Sequence, residues 1–284
     1  MKTLIRQRLD WFALVWRLPN LIWQALFFII PLLFLFFLSF WLVKNYRMEP
    51  ALEVVNWIKI YSKAYFWDAY FETFGLAFVS SLSISLLAFP CSYALSYIFS
   101  DSARRWAIFF LILPFFTSYL VRIYSWQVIL AENGVINALL AYFGFGPFIM
   151  LNTVFGTIVG FMTLTLPLVI ILQTFSLSNV DRSLIEAANN LGCKPFKTIL
   201  TVIIPLAKVG LILGLVFCFI LSFGDFVSPY YLGGSKSPTL SILIIDTTKS
   251  GQQWPRAAVI AVTMIITLIV LAFLAVRLAY RKRV

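Results

Sequence analysis

The 284-residue chain is 62% hydrophobic, 18% aromatic and only 12% charged, an apolar excess too large for one water-soluble core. Its formal charge is +11, and in so greasy a chain that surplus suits lysine and arginine held at a membrane surface better than nucleic-acid binding. Histidine is absent and three cysteines, Cys91, Cys193 and Cys218, lie at no metal-like spacing. A structural zinc site, a disulfide framework and any Ser-His or Cys-His catalytic site are thereby excluded within this sequence.

A helix needs about 20 apolar residues to cross the hydrocarbon. Six stretches qualify, so an all-α membrane protein with six transmembrane helices is expected. Ahead of the first, residues 4–17 mix Arg6, Arg8 and Arg17 with Trp11, Phe12 and Trp16. That suits either an interfacial helix or a simple basic tail, within an N-terminal segment 1–20. The first span is about 21–43. It is too long for a signal-peptide core and no small-x-small cleavage site follows, so it reads as a retained helix. The second is about 73–99 and the third 106–130. The fourth is 152–176, the fifth 206–227 and the sixth 257–277, closing a domain of 21–277 before a basic tail, 278–284.

With the N-terminus inside, the inner segments carry twice as many lysines and arginines as the outer ones, which supports an N-in/C-in orientation. The outer loops then fall at 44–72, 131–151 and 228–256. The inner ones are 100–105 and the longer 177–205.

That long inner loop breaks the apolar pattern. Ser178 and Asp181 read as a capping-box-like helix start. Leu184, Ala188 and Leu191 recur at helical spacing as one apolar face, and Glu186, Asn189 and Asn190 point elsewhere. Gly192 ends the helix. Lys194-Pro195 opens a second amphipathic segment, and Pro205 precedes the fifth span. The small residues Ala187, Ala188 and Gly192 allow close approach of another surface. The pattern alone fits a helix-in-groove contact or a helix resting on lipid.

Glu186-Ala187-Ala188, then Gly192, then Val202-x-Ile204-Pro205 resembles the EAA loop of ABC-importer permeases, here 178–205. The departures are Val for Ile and Ile for Leu. The resemblance implies a type I ABC-importer permease in the bacterial inner membrane. Its coupling loop (Glu186, Ala187, Ala188, Gly192, Pro205) would dock on a cytoplasmic ATPase. It further implies two ATP-binding subunits that use ATP and magnesium, a second permease (a paralogue in polyamine systems), and an extracytoplasmic solute-binding protein. No cofactor, metal or catalytic residue is expected in this chain, and lipid surrounds it.

"LPFFTSYLVRIYSWQVIL", "FGDFVSPYYLGGSK" and "QQWPRAAVIAV" are similar to the spermidine/putrescine permease group, from about residue 70 onward. Permeases for other amines, opines or ferric iron share parts of these motifs. A stand-alone secondary transporter is the reading from a different class, and it lacks a set of membrane carboxylates.

Ionisable groups at membrane depth usually face a cavity or partner. Arg122 in span three and Asp225 near the end of span five both fall roughly 24–29 Å from the inner face at 1.5 Å per residue. Either they flank the substrate path, where Asp225 suits a polycation, or they snorkel and cap helix ends. Tyr124, Trp126 and Tyr230, with Tyr119, fall near the same level. They read as an interfacial belt or as a cation–π surface for amines. Gly233-Gly234-Ser235-Lys236 lacks phosphate-loop spacing and reads as an outer turn.

Overall fold

The computed structural model describes residues 11–234 and 238–280. Residues 4–10 of the expected interfacial segment, with Arg6 and Arg8, the turn residues Ser235 and Lys236, and most of the basic tail lie outside them. The chain divides into two compact units, one of residues 1–63 and 246–263, the other of 64–245 and 264–284.

In the first unit, α1 runs over 11–38 with a π-turn at Ala25–Ile29. In that turn the Ile30 N–H bonds Ala25 O, five residues back. Pro31 follows directly, and the wider turn accommodates a residue that has no N–H to give. The span stops at Leu38, short of the expected 43. Leu42 and Val43 instead belong to β1 (Leu42–Lys44), which pairs antiparallel with β2 (Arg47–Glu49). Asn45 and Tyr46 both have positive φ, as a two-residue hairpin turn requires. Behind the hairpin, α2 (Val55–Tyr61) places Asn56 so that its amide donates to the carbonyls of Ser39 (3.1 Å) and Trp41 (2.7 Å). This satisfies carbonyls stranded past the end of α1.

The second unit holds α3 (Ala64–Ile98), α4 (Asp101–Phe116), α5 (Tyr119–Ile129), α6 (Val135–Tyr142) and α7 (Val154–Ser178). It continues with α8 (Arg182–Asn190), α9 (Pro195–Gly224), α10 (Val227–Tyr231) and most of α11 (Leu240–Lys249). The final span, α12 (Trp254–Tyr280), starts in the first unit and ends in this one. By length and composition α1, α3, α7, α9 and α12 can each cross a membrane unbroken.

The expected span three, 106–130, is not one helix but a bent pair that makes a sixth crossing only if the two helices are taken together. α4 and α5 meet at 97°. Pro114 sits in a tight terminal turn, Leu113–Phe116, and Thr117 and Ser118 are extended, so the helical ladder stops for two residues. A depth counted along a straight helix therefore does not apply to Arg122. α3 begins nine residues before its expected start, at Ala64.

The core lies where α3, α7 and α9 pack together around Ile84, Ala88, Leu95, Phe161, Val169 and Cys218. The seam is also rich in small hydroxyls: Ser80, Ser81, Ser85, Ser92 and Ser96 on α3 are all buried. Gln173 of α7 donates to Ser85 O (3.0 Å) and accepts from Ser92 Oγ (3.2 Å). Small interfacial residues let membrane helices approach closely, and side-chain hydrogen bonds then hold them. At Gly210 of α9 a Cβ would overlap Ser176 of α7, so the two backbones are in near contact there.

Candidate functional site

Two regions carry the polar chemistry, one at each end of α7. At its C-terminal end the chain leaves the helix through Asn179 and Val180 into α8. Asp181, not Ser178, caps α8: its carboxylate accepts the Ser183 N–H at 2.9 Å, whereas Ser178 is the last residue of α7. That hydrogen bond, which favours the charged form, holds the Asp181 carboxyl below its ordinary value. At the other end of α8, Gly192 takes φ +77°, its N–H bonds Asn189 O and the Cys193 N–H bonds Ala188 O. This is a Schellman cap, and only glycine adopts its left-handed position without cost.

The faces of α8 sort differently from the expected stripe. Ala188 is buried, and its neighbour Ile185 packs on a cluster of Leu177, Val180, Ile203 and Ala207. Leu184 (46% exposed) and Leu191 (86%) turn outward with Ala187 and Glu186. The inner contact is thus Ile185–Ala188, and the free apolar stripe is Leu184–Ala187–Leu191. Phe196 and Leu200 extend it as further exposed apolar side chains at the start of α9.

Pro205 does not separate an amphipathic segment from the fifth span. α9 is helical from Pro195 to Gly224, with a π-turn at Ile199–Ile203 just before the proline. The Ile204 N–H reaches back five residues to Ile199 O. This arrangement repeats that before Pro31 in α1, and it keeps the helix continuous through a residue that lacks a donor.

The second region lies where α5 and α10 pack on the N-terminal half of α7. Asp225, only 9% exposed, follows the end of α9. Its carboxylate accepts the N–H groups of Val227 (2.9 Å) and Ser228 (3.3 Å), the Ser228 hydroxyl, and the Tyr119 hydroxyl at 2.6 Å. All these donors are neutral. Arg122, one turn after Tyr119 on α5, lies over the Tyr119 ring at 5.6 Å and donates to Thr163 O of α7 at 2.8 Å. Among the described residues Arg122 and Asp225 form no direct ion pair; Tyr119 stands between them. Tyr119 was seen in the sequence only as one aromatic among several, and nothing in its spacing marks it as the bridge.

Tyr124 and Tyr230 are about half exposed, and both meet Tyr231 edge to face, with ring centroids 5.1 and 5.0 Å apart. Trp126 lies on the same helix as Tyr124, partly buried. Gly160 and Gly233 make the region possible. A Cβ on Gly160 would collide with Ser228, and one on Gly233 with Thr157, so α10 sits directly on the α7 backbone. Among the described residues no cluster of His, Cys, Asp or Glu has the geometry to hold a metal ion.

Residues 86–284 match the family model of the binding-protein-dependent transport system inner membrane component. The spermidine/putrescine transport system permease protein PotB of Haemophilus influenzae is 27% identical over 88% of both chains. PotB of Escherichia coli is 26% identical over 87% of this chain and 90% of its own. The inner membrane ABC transporter permease protein YdcU of Escherichia coli is 28% identical over 76% of this chain and 74% of its own. In three dimensions the chain is similar to a bacterial ABC transporter involved in alginate import (TM-score 0.73, 17% identity, 97% of both chains). It is also similar to a bacterial alginate ABC transporter in complex with an alginate pentasaccharide-bound periplasmic protein (TM-score 0.76, 17% identity, 96% of this chain and 95% of that one). A multi-pass helical chain, a capped helix between its fourth and fifth crossings, and a family match over more than half its length lead to one conclusion: this protein belongs to the binding-protein-dependent transport system inner membrane components, as the permease of an ABC importer in the inner membrane.

Proposed function

We propose that this permease carries a small cationic solute of the polyamine class, putrescine or spermidine. The observation that carries the reading is the similarity to PotB proteins at 26–27% identity over 87–88% of this chain. The chemistry of the region around α10 agrees with it. The Asp225 carboxylate is held by neutral donors, and the one nearby guanidinium, Arg122, is set off from it by the Tyr119 ring rather than paired with it. A polyamine passing there meets negative potential and aromatic faces that attract ammonium groups. In this reading Asp225 acts from behind the wall, Arg122 positions α5 against α7, and Tyr124, Trp126 and Tyr230 line the path.

The chain itself is the conduit and hydrolyses nothing; ATP and magnesium are used by two partner ATPases. α8, bearing Glu186, Ala187, Ala188 and Gly192, is the coupling helix, and Leu184–Ala187–Leu191 is the stripe an ATPase groove would cover. The Gly192 turn joins that helix to α9, and Pro205 with its π-turn carries α9 on without a break into the core. The N-terminus and α8 face the cytoplasm, a paralogous permease stands alongside, and a solute-binding protein delivers substrate from outside. Closure of the ATPases then biases a two-state helix bundle between inward- and outward-facing forms.

The test is uptake by cells carrying the whole importer. Unlabelled putrescine and spermidine should each compete with labelled polyamine, and uptake should require ATP and a co-purifying ATPase. Competition by a different solute alone would replace the substrate class. Full transport by this chain alone in liposomes would overturn the importer mechanism.

A further inference from the structure

The segment between α5 and α7, expected as an aqueous outer loop at 131–151, has the chemistry of buried chain. Between Glu132 and Asp181 the sequence carries no charged residue. Within it, Leu139, Tyr142, Phe143, Phe145, Phe148 and Ile149 are all more than half exposed, Tyr142 at 86%. Water is a poor solvent for such a patch.

The backbone is prepared for a poor solvent. α6 ends in a Schellman cap: Gly144 has φ +81°, its N–H bonds Ala141 O, and the Phe145 N–H bonds Leu140 O. Asn137, 4% exposed, reaches across the loop; its amide donates to Ala131 O (3.2 Å) and Phe148 O (2.9 Å), and its carbonyl accepts the Phe148 N–H (2.9 Å). Pro147 has no N–H to satisfy. One buried side chain and one glycine cap therefore tie the irregular segment down from inside, at Phe145 and Phe148. Irregular backbone is not left facing lipid within the hydrocarbon region, so such a segment is held against protein from inside and set at the interface, where water reaches its remaining polar groups.

We propose that α6 and residues 143–151 lie in the headgroup–acyl interface of the bilayer, as an aromatic anchor in the leaflet at the N-terminal end of α7, with lipid as the partner of their exposed face. The polar residues flanking the segment, Glu132 and Asn133 before it and Asn152 and Thr153 after it, place it at the headgroup–acyl boundary, where Tyr and Phe concentrate. The anchor fixes the stretch of chain that joins α5 to α7.

Site-directed spin labelling of the full chain in lipid nanodiscs tests this. Cys91→Ala and Cys193→Ala leave the fully buried Cys218 unlabelled, and single cysteines are then introduced by Tyr142→Cys, Phe145→Cys or Ile149→Cys. These side chains are exposed, so the labels displace no packing. The expected result at all three is collision with oxygen exceeding collision with an aqueous nickel chelate, the reverse of an Arg47→Cys control on the hairpin. Nickel exceeding oxygen at these sites means an aqueous loop and overturns the proposal. Low access to both reagents means a covering protein and overturns it equally.

Discussion

Arg122 donates a hydrogen bond to the carbonyl of Thr163, and Thr163 lies four residues before Pro167. That carbonyl is the one a helix would pair with the N–H of residue 167, and proline has none. The guanidinium of α5 thus supplies the donor that α7 lacks, and the defect in one helix becomes the docking point for another. An unpaired carbonyl at membrane depth costs about 1–3 kcal/mol. Arg122→Met should lower unfolding stability by about that amount, and Pro167→Ala, which restores the amide, should recover most of it. An equal loss in both backgrounds, measured by denaturant titration of the purified protein, would sink the pairing.

Asp225 and Tyr119 separate charge from structure. Asp225→Asn keeps size and most hydrogen bonding but removes the charge. With a substrate ammonium about 10 Å away and an effective dielectric near 20, that charge contributes on the order of 1.5 kcal/mol, about a tenfold rise in KM for polyamine uptake. Tyr119→Phe leaves the charge and removes one donor, so it should lower stability with little change in KM. Initial-rate uptake and thermal unfolding of both variants decide; an unaltered KM in Asp225→Asn removes Asp225 from the substrate field.

The spans were legible in the sequence because lipid forces one rule on every residue: backbone groups pair within the segment, so each crossing is a long apolar helix. The exceptions were hidden where a local signal has two outcomes. Pro114 is compatible with a kink or with a break, and only the extended Thr117 and Ser118 make it a break of 97°. Ser178 and Asp181 are both good caps, and spacing alone favoured the wrong one. Ala188 and Leu191 share a helical period, yet Ala188 is buried and Leu191 is exposed. The Arg122–Thr163 bond joins residues 41 apart, and no periodicity records it. The motif at Glu186–Gly192 was readable because its glycine has a stereochemical reason to be there.

Gly192 tests that reason directly. Nothing lies within 4 Å of a Cβ built on it, so substitution is governed by the backbone alone. Gly192→Ala should cost about 1–2 kcal/mol from its left-handed φ, and Gly192→Asn distinctly less. Under the coupling proposal, ATP-dependent uptake should fall in the order Gly, Asn, Ala, with Gly192→Pro inactive. Equal uptake by the Asn and Ala variants would show that the cap does not set coupling.

The Asp181 cap gives α8 a pH dependence of predictable sign. The folded-state pKa lies below the unfolded one because the charged carboxylate accepts the Ser183 N–H. The contribution to stability is therefore complete above the ordinary carboxylate pKa, about 4, and is lost as pH falls through the depressed value. Hydrogen exchange of the amides of 183–187 should accelerate relative to those of α7 on acidification through that window, after correction for intrinsic rates. Asp181→Asn, which caps without titrating, should flatten that response while keeping the helix protected at neutral pH. The same acid-dependent loss in Asp181→Asn would place the pH sensitivity elsewhere in the loop.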